Sequence, residues 1–169
     1  MPHRAYRLRH VSHSRGFSLL ELLIVLVIFA IMASIAVPSF QSLRQQQQLT
    51  DASNELVAAL RLARGEAIMR EAEVTMSAVE DDDWAQGWRI EVEGDSENPI
   101  AVHQPLPDQL SVGDKNAQPA DEVTFDDLGY PDAGGEWLLS HAGLPKVSRI
   151  CMSAIGRAYV AESGKGCDS

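Results

Sequence analysis

The sequence of 169 residues predicts an α+β fold, in which one long N-terminal helix packs against antiparallel β-sheets. The first observation is an apolar run from Leu22 to Phe40 that contains no charged residue. The second is a change of hydrophobic period further along the chain, from the spacing of an amphipathic helix to the alternation of short strands. Glycine, proline, asparagine and aspartate separate these strands, which favours antiparallel connections over βαβ units.

The N-terminal third of the sequence predicts a membrane topology. Residues 1–16 carry four arginines and no acidic residue, so the positive-inside rule keeps them in the cytoplasm. Residues 17–40 supply about the 20 residues that a helix needs to cross a bilayer. Residues 41–169 then form a head domain outside the membrane. Without the four arginines of the leader, the formal net charge of −10 becomes −14, so the remaining chain is strongly acidic.

Beyond the apolar run, the helix is predicted to continue to Arg70 as the amphipathic support of the head domain. Pro38 removes one backbone donor within it, which predicts a local bend. The run Gln45–Gln48 is polar on every face and is predicted to be a solvated connector. The apolar stripe at spacings of three and four consists of Leu43, Leu49, Ala52, Leu56, Ala59, Leu60, Ala63, Ala67 and Ile68.

Short stretches rich in β-branched and aromatic residues follow the helix and are predicted to be strands. The tryptophans at 84, 88 and 137 are predicted to pack in the core or at a sheet edge rather than to bind a ligand. The predicted strands are 74–77, 87–92, 100–102, 123–125, 147–152 and 158–160.

A specific motif joins the leader to the apolar run, in which Gly16 precedes Phe17, Ser18, Leu19, Leu20 and Glu21. Glu21 lies four positions after Phe17, one helical turn along the same face. The motif resembles the prepilin N-terminus of type IV pilins and type II secretion pseudopilins. That resemblance implies a prepilin peptidase that cuts after Gly16 and methylates the new amino group of Phe17. It also implies that Glu21 registers the subunit during filament assembly.

The alternative interpretation of the same segment is a secretory signal peptide, with a small-x-small cleavage site at Ser34-Ile35-Ala36. Two features favour the prepilin interpretation. A carboxylate such as Glu21 is unusual within the apolar core of a signal peptide. In addition, the helical pattern continues well past Ala36, where an exported chain would begin afresh.

The head domain carries a second resemblance, to minor pilins and pseudopilins of the GspH/FimT type. Its motifs are a helix from Leu60 to Ala67, a step from Trp84 to Trp88, a turn from Phe125 to Gly129, and the ending Arg149-Ile150-Cys151, Gly156-Arg157 and Cys167. The resemblance implies a type IV pilin-like fold with a single pass through the bacterial inner membrane and a periplasmic head. The implied partners are other minor and major pilins or pseudopilins, in a complex at the filament tip.

Two functions follow from these resemblances. The favoured one is a minor pilin, a structural subunit of a type IV pilus tip or initiation complex. The alternative is an H-type minor pseudopilin of a type II secretion system, which serves protein export. The Pro38-Ser39-Phe40 step and the cysteine pair near the C-terminus favour the pilus.

The two cysteines, Cys151 and Cys167, lie in the segment predicted to be periplasmic, where an oxidising environment favours a disulfide between them. His103 and His141 are isolated in sequence, so no zinc site is predicted. The acidic clusters at 81–83 and at Asp126, Asp127 and Asp132 lack the ligand spacing of a calcium hand and are predicted to be solvated loops. No catalytic triad, phosphate loop or dinucleotide motif is present, so the sequence predicts neither an enzyme nor a cofactor.

A further alternative is DNA binding, because some minor pilins of this type bind DNA through a basic Gly-Arg-x-Arg turn between the C-terminal cysteines. Here Gly156-Arg157-Ala158-Tyr159 lacks the second arginine. The residues that would contact DNA are Arg149, Arg157 and Lys165, with Lys146 nearby. A body with a net charge of −14 repels phosphates, so nucleic acid is not the predicted partner.

Overall fold

The computed structural model describes residues 17–80, 83–113, 122–162 and 164–167, so the leader with Gly16 lies outside the described residues. Helix α1 spans Leu19–Arg70 and runs without a break through Pro38. The chain divides into two compact units, the first ending at Ser39 and the second beginning at Phe40. The bend at Pro38 stays a prediction.

Eight strands follow α1 in the described residues, and they form two four-stranded antiparallel sheets. The strands are β1 (Val74–Ala78), β2 (Trp88–Val92), β3 (Ala101–Val102), β4 (Leu110–Val112), β5 (Glu122–Phe125), β6 (Gly135–His141), β7 (Val147–Met152) and β8 (Ala158–Val160). One sheet has the order β3-β2-β1-β5, and the other has the order β4-β6-β7-β8. A 3-10 turn, Trp84–Gln86, lies between β1 and β2. The predicted α+β class is therefore confirmed.

Strands β4 and β6 were not predicted from the sequence. Strand β6 contains the consecutive buried residues Trp137, Leu138 and Leu139, so its pattern does not alternate. A continuous buried run of this length cannot be told from a short helix by periodicity alone. Strand β4 has three residues, and only Leu110 in it is fully buried, which is too short a signal to detect.

The core of the second unit forms where one stripe of α1 faces the two sheets. Most of the predicted stripe is buried, and small residues in it let the sheets approach the helix. Leu43 and Ile68 are exceptions, since they are 52% and 47% exposed. The buried helix residues are Leu49, Ala52, Ser53, Leu56, Val57, Leu60, Ala63 and Ala67.

All three tryptophans are buried in this core. Trp84 and Trp137 meet edge to face, with their ring centroids 5.7 Å apart and their planes at 77°. Because Trp137 belongs to β6 and Trp84 follows β1, the pair joins the second sheet to the first. Trp88 stacks on the ring of His103 at 4.0 Å.

The interpretation of Gln45–Gln48 as a solvated connector is wrong for two of its residues. The buried ring of His141 lies at the end of β6, and its Nδ1 accepts the N–H of Gly143 at 3.0 Å. The ring proton is therefore on Nε2, which donates to the side-chain oxygen of Gln48 at 3.3 Å. The Gln45 side chain lies against Gly143. The turn after β6 thus fixes both glutamines to the head.

Candidate assembly and binding sites

The N-terminal part of α1 presents the predicted assembly residues on an uncovered helix. Phe17 is 80% exposed, and Glu21 is exposed in the first turn. The large apolar side chains from Leu19 to Val37 are about half exposed or more. By length and composition, this helix could cross a membrane. Such a surface in water would be unfavourable, so it requires lipid or other apolar helices around it.

The C-terminal cysteines form a disulfide, with their Cα atoms 5.4 Å apart. Cys151 is buried within β7, and Cys167 lies in the segment that follows β8. The bond therefore ties this last segment to a central strand of the second sheet. The loop that the disulfide closes contains the Ser153–Arg157 turn, in which the Ser153 carbonyl accepts the N–H of Gly156 at 2.8 Å.

Each of the three predicted DNA contacts has its own partner in the structure. Arg149 forms an ion pair with Glu136 on the neighbouring strand β6. Lys165 pairs with Glu162, with 2.6 Å between Nζ and Oε2. The Arg157 guanidinium lies 5.7 Å from the centroid of the Tyr159 ring. Carboxylates therefore neutralise two of the three predicted DNA contacts.

A groove of about 390 Å³ opens between α1 and the second sheet. One wall consists of α1 side chains between Gln46 and Asn54, and the other consists of β7, the end of β8 and the segment after it. The groove brings Arg149 and Lys165 together with Lys146, whereas Arg157 does not line it. Sequence reasoning missed the groove because its walls lie about 100 residues apart in the chain. The only sequence signal for it was the group of three basic residues Lys146, Arg149 and Lys165.

Carboxylates of the acidic clusters accept hydrogen bonds from nearby backbone N–H groups. Asp126 Oδ1 accepts the N–H groups of Leu128 at 3.0 Å and Tyr130 at 2.7 Å, which holds the turn after β5. Asp132 accepts the N–H of Ala133 at 2.8 Å. Asp83 caps the 3-10 turn, whereas Asp81 and Asp82 lie outside the described residues. Within the described ranges, no group of three or more His, Cys, Asp or Glu side chains is arranged to hold a metal ion.

One carboxyl group in the head has a shifted pKa. The side chain of Glu93 hydrogen-bonds to Glu73 and raises its pKa above the ordinary value, and the charge of Glu93 adds to this shift. Desolvation and the charges of Asp126 and Asp127 contribute further. Glu73 precedes β1 and Glu93 follows β2, so the antiparallel pairing of these strands places the two carboxyl groups side by side.

Two protein-family models match the chain. The model of the family described as type II transport protein GspH matches residues 52–156, which is more than half of the chain. The chain belongs to the GspH family. A second model, the prokaryotic N-terminal methylation motif, matches residues 11–37 of this GspH-family chain. The two matches cover the motif around Gly16 and most of the head.

Sequence relatives of this GspH-family chain include two fimbrial proteins of Pseudomonas aeruginosa. Each is 41% identical to it over 68 residues, which is 40% of this chain and 44% of the relative. The chain therefore matches less than half of the length of these relatives.

Two crystal structures of the type IV minor pilin FimU from Pseudomonas aeruginosa PAO1 resemble this GspH-family chain. The form in space group P21 gives a TM-score of 0.62 at 25% identity and covers 71% of this chain and 92% of that chain. The form in space group P65 gives a TM-score of 0.60 at 26% identity, with 69% and 95% covered. The long helix packed on antiparallel sheets is thus the fold of a type IV pilin.

Proposed function

We propose that this chain is a minor pilin, a structural subunit of the tip or initiation complex of a type IV pilus. The observation that carries the proposal is the likeness of its fold to FimU over 92% of the FimU chain. Further support is the methylation motif over residues 11–37, the N-terminal segment of a pilin precursor. Family and fold are those of structural pilins rather than of enzymes.

The life cycle of the subunit follows from this proposal. Prepilin peptidase cuts after Gly16 and methylates Phe17, while residues 17–40 anchor the chain in the bacterial inner membrane. The head, residues 41–169, lies in the periplasm. During assembly, the exposed apolar side chains from Leu19 to Val37 exchange lipid contacts for contacts with the helices of other pilins. Because the apolar surface stays covered in both states, extraction from the membrane need not expose it to water.

The second candidate is an H-type minor pseudopilin of a type II secretion system. Its support is the family description itself, type II transport protein GspH. Both candidates require the same processing and the same helix packing, so the phenotype of a deletion strain distinguishes them. Loss of surface pili favours the pilus, and loss of secreted proteins with intact pili favours the pseudopilus.

Mass spectrometry of the N-terminal peptide tests the proposal common to both candidates. We expect a mature chain that begins at N-methylated Phe17 in the membrane and in sheared filaments. Gly16→Val should leave an uncut precursor in the membrane. A mature chain that begins at Val37 would overturn the proposal, because cleavage there is the action of signal peptidase.

A further inference from the structure

We infer that the groove between α1 and β8 is a docking site for an extended, acidic segment of a neighbouring filament subunit. This groove is the one of about 390 Å³ lined by Thr50, Asn54, Lys146, Arg149, Val160 and Lys165. The inference rests on the proposed assembly function. It adds the chemistry of the partner and the place where that partner binds.

The second sheet has an open strand edge at β8. Strand β8 ends the second sheet, and in the described part of the chain no strand lies beyond it. The carbonyl of Arg157 accepts the N–H of Ser153, directly after β7, and the N–H of Ala161 donates to the carbonyl of Arg149 in β7. Bonded and non-bonded pairs alternate in an antiparallel ladder, so Val160 directs its N–H and C=O away from β7. These are the groups to which an added strand binds.

The open edge of β8 faces helix α1. The outward carbonyl of Ala158 accepts a hydrogen bond from Arg61 Nη2 on α1 at 3.0 Å. The outer edge of β8 therefore faces the helix. At Ala158 the arginine occupies the edge, whereas at Val160 the groove opens. An entering segment would lie between β8 and the exposed face of α1 that carries Thr50 and Asn54.

The lining of the groove is positively charged. Three cationic side chains and one carboxylate, Glu162, line the groove. Arg149 and Lys165 are paired with Glu136 and Glu162, so among the described residues Lys146 is the lining cation that has no carboxylate partner. The groove therefore keeps one net positive charge in a chain whose formal net charge without its leader is −14. Such complementarity selects an acidic partner and penalises a basic one. Lys146 is exposed at the rim, where it can meet an incoming carboxylate.

Photo-crosslinking in cells tests the inference on the full chain. With p-benzoylphenylalanine in place of Thr50, we expect an adduct with another filament subunit. Mass spectrometry should map it to an extended segment with acidic side chains. The same probe in place of Ala58, which is exposed on α1 outside the groove, should give no adduct with that segment. An adduct with a second copy of this chain, with nucleic acid, or with a basic segment would overturn the inference.

Two pairs of variants test the chemistry of the Thr50 adduct. Val160→Pro removes the outward N–H and leaves the ladder to β7 intact, so the adduct should be lost. Val160→Ala keeps that N–H and should keep the adduct. Lys146→Glu should lower the adduct yield at least fivefold, whereas Lys146→Arg should retain it. Unchanged tryptophan fluorescence and an intact disulfide show that each variant folds. Equal adduct yields within both pairs would overturn the inference.

The filament fraction separates the two proposals. If the chain enters sheared filaments but its Thr50 probe gives no adduct, the docking inference fails and the minor-pilin proposal stands. If the chain is never processed after Gly16 and never enters filaments, both proposals fail.

Discussion

Arg64 Nε donates a hydrogen bond to the carbonyl oxygen of Gly129 at 3.0 Å, which ties helix α1 to the turn between β5 and β6. The turn between β7 and β8 approaches the same atoms. A Cβ added at Gly156 would lie 2.7 Å from the Gly129 carbonyl oxygen and 3.0 Å from Arg64 Nε. The helix and turns from both sheets therefore meet at this arginine.

Gly156→Ala should destabilise the head by about 2–3 kcal/mol. Gly156 has φ +74°, a conformation that costs an alanine about 1–2 kcal/mol, and the added methyl group also meets the Gly129 backbone. Urea denaturation of the full chain in detergent, followed by tryptophan fluorescence, measures the loss, because all three tryptophans lie in the head.

Gly94→Ala is the matched control for this variant. Gly94 has φ +80°, and nothing lies within 4 Å of an added Cβ, so this substitution isolates the backbone cost. We expect it to lose about 1 kcal/mol. Equal losses in the two variants would show that the contact with the Gly129 backbone does not constrain the turn.

Cys167→Ser should lower the stability of the head by about 3 kcal/mol, since the lost disulfide closes a loop with a sequence separation of 16 residues. Reductant should destabilise the native chain to the same extent and leave the variant unchanged. Arg157→Ala serves as the control, because Arg157 is exposed and should change stability by less than about 0.5 kcal/mol. A Cys167→Ser variant as stable as the native chain would mean that the disulfide does not contribute to stability.

Arg157→Ala also tests the DNA-binding alternative. Because Arg149 and Lys165 are paired with carboxylates, we expect the native chain to bind no labelled duplex near physiological salt. Weak binding at low salt should disappear as salt is added. Retained affinity at the higher salt that is lost in Arg157→Ala would instead identify a DNA-binding pilin.

The pair Glu73 and Glu93 predicts a pH dependence of stability. Since the Glu93 side chain raises the pKa of Glu73 in the folded state, the native chain holds a proton over a range where the unfolded chain has lost it. Stability therefore falls as pH rises through the raised pKa. Denaturation midpoints measured from pH 4 to pH 8 should show this fall.

Glu73→Gln should remove this part of the pH dependence and raise stability near neutral pH. Glu93→Gln should do the same, and the double variant should add nothing further, since either change removes the repulsion. Additive effects of the two substitutions would show that the carboxyl groups do not interact.

Glu21→Ala should insert in the membrane and be processed, yet fail to enter filaments. A carboxylate near the end of a membrane span is unfavourable without a partner, with a cost of up to roughly 2.5–3.5 kcal/mol at the helix centre. A partner amine at assembly is the proposed reason for its presence. Comparison of sheared filaments with membranes measures incorporation, and Ser18→Ala is the control that should assemble. Normal incorporation of Glu21→Ala would exclude a docking role for Glu21.

The sequence by itself determined the features that depend on neighbouring residues. The uncharged run from Leu22 to Phe40 specifies an apolar helix because a segment in lipid must satisfy its backbone hydrogen bonds internally. The three-to-four spacing from Leu49 to Ala67 likewise specifies which face of α1 is buried. The motif at Gly16 is a short linear segment, so it identifies the class of protein without knowledge of the fold.

Tertiary structure decided what depends on residues distant in sequence. Strand β6 has no alternating pattern because Trp137, Leu138 and Leu139 point to alternate faces and are all buried, so both faces of the strand are covered there. Gln48 is polar, yet it is fixed by His141, 93 positions away. The groove at Val160 joins α1 side chains between Gln46 and Asn54 to β7 and β8, which lie about 100 residues later in the chain. Local sequence encodes the hydrophobicity and period of a segment, whereas the pairing of distant segments depends on how all of them fill one core.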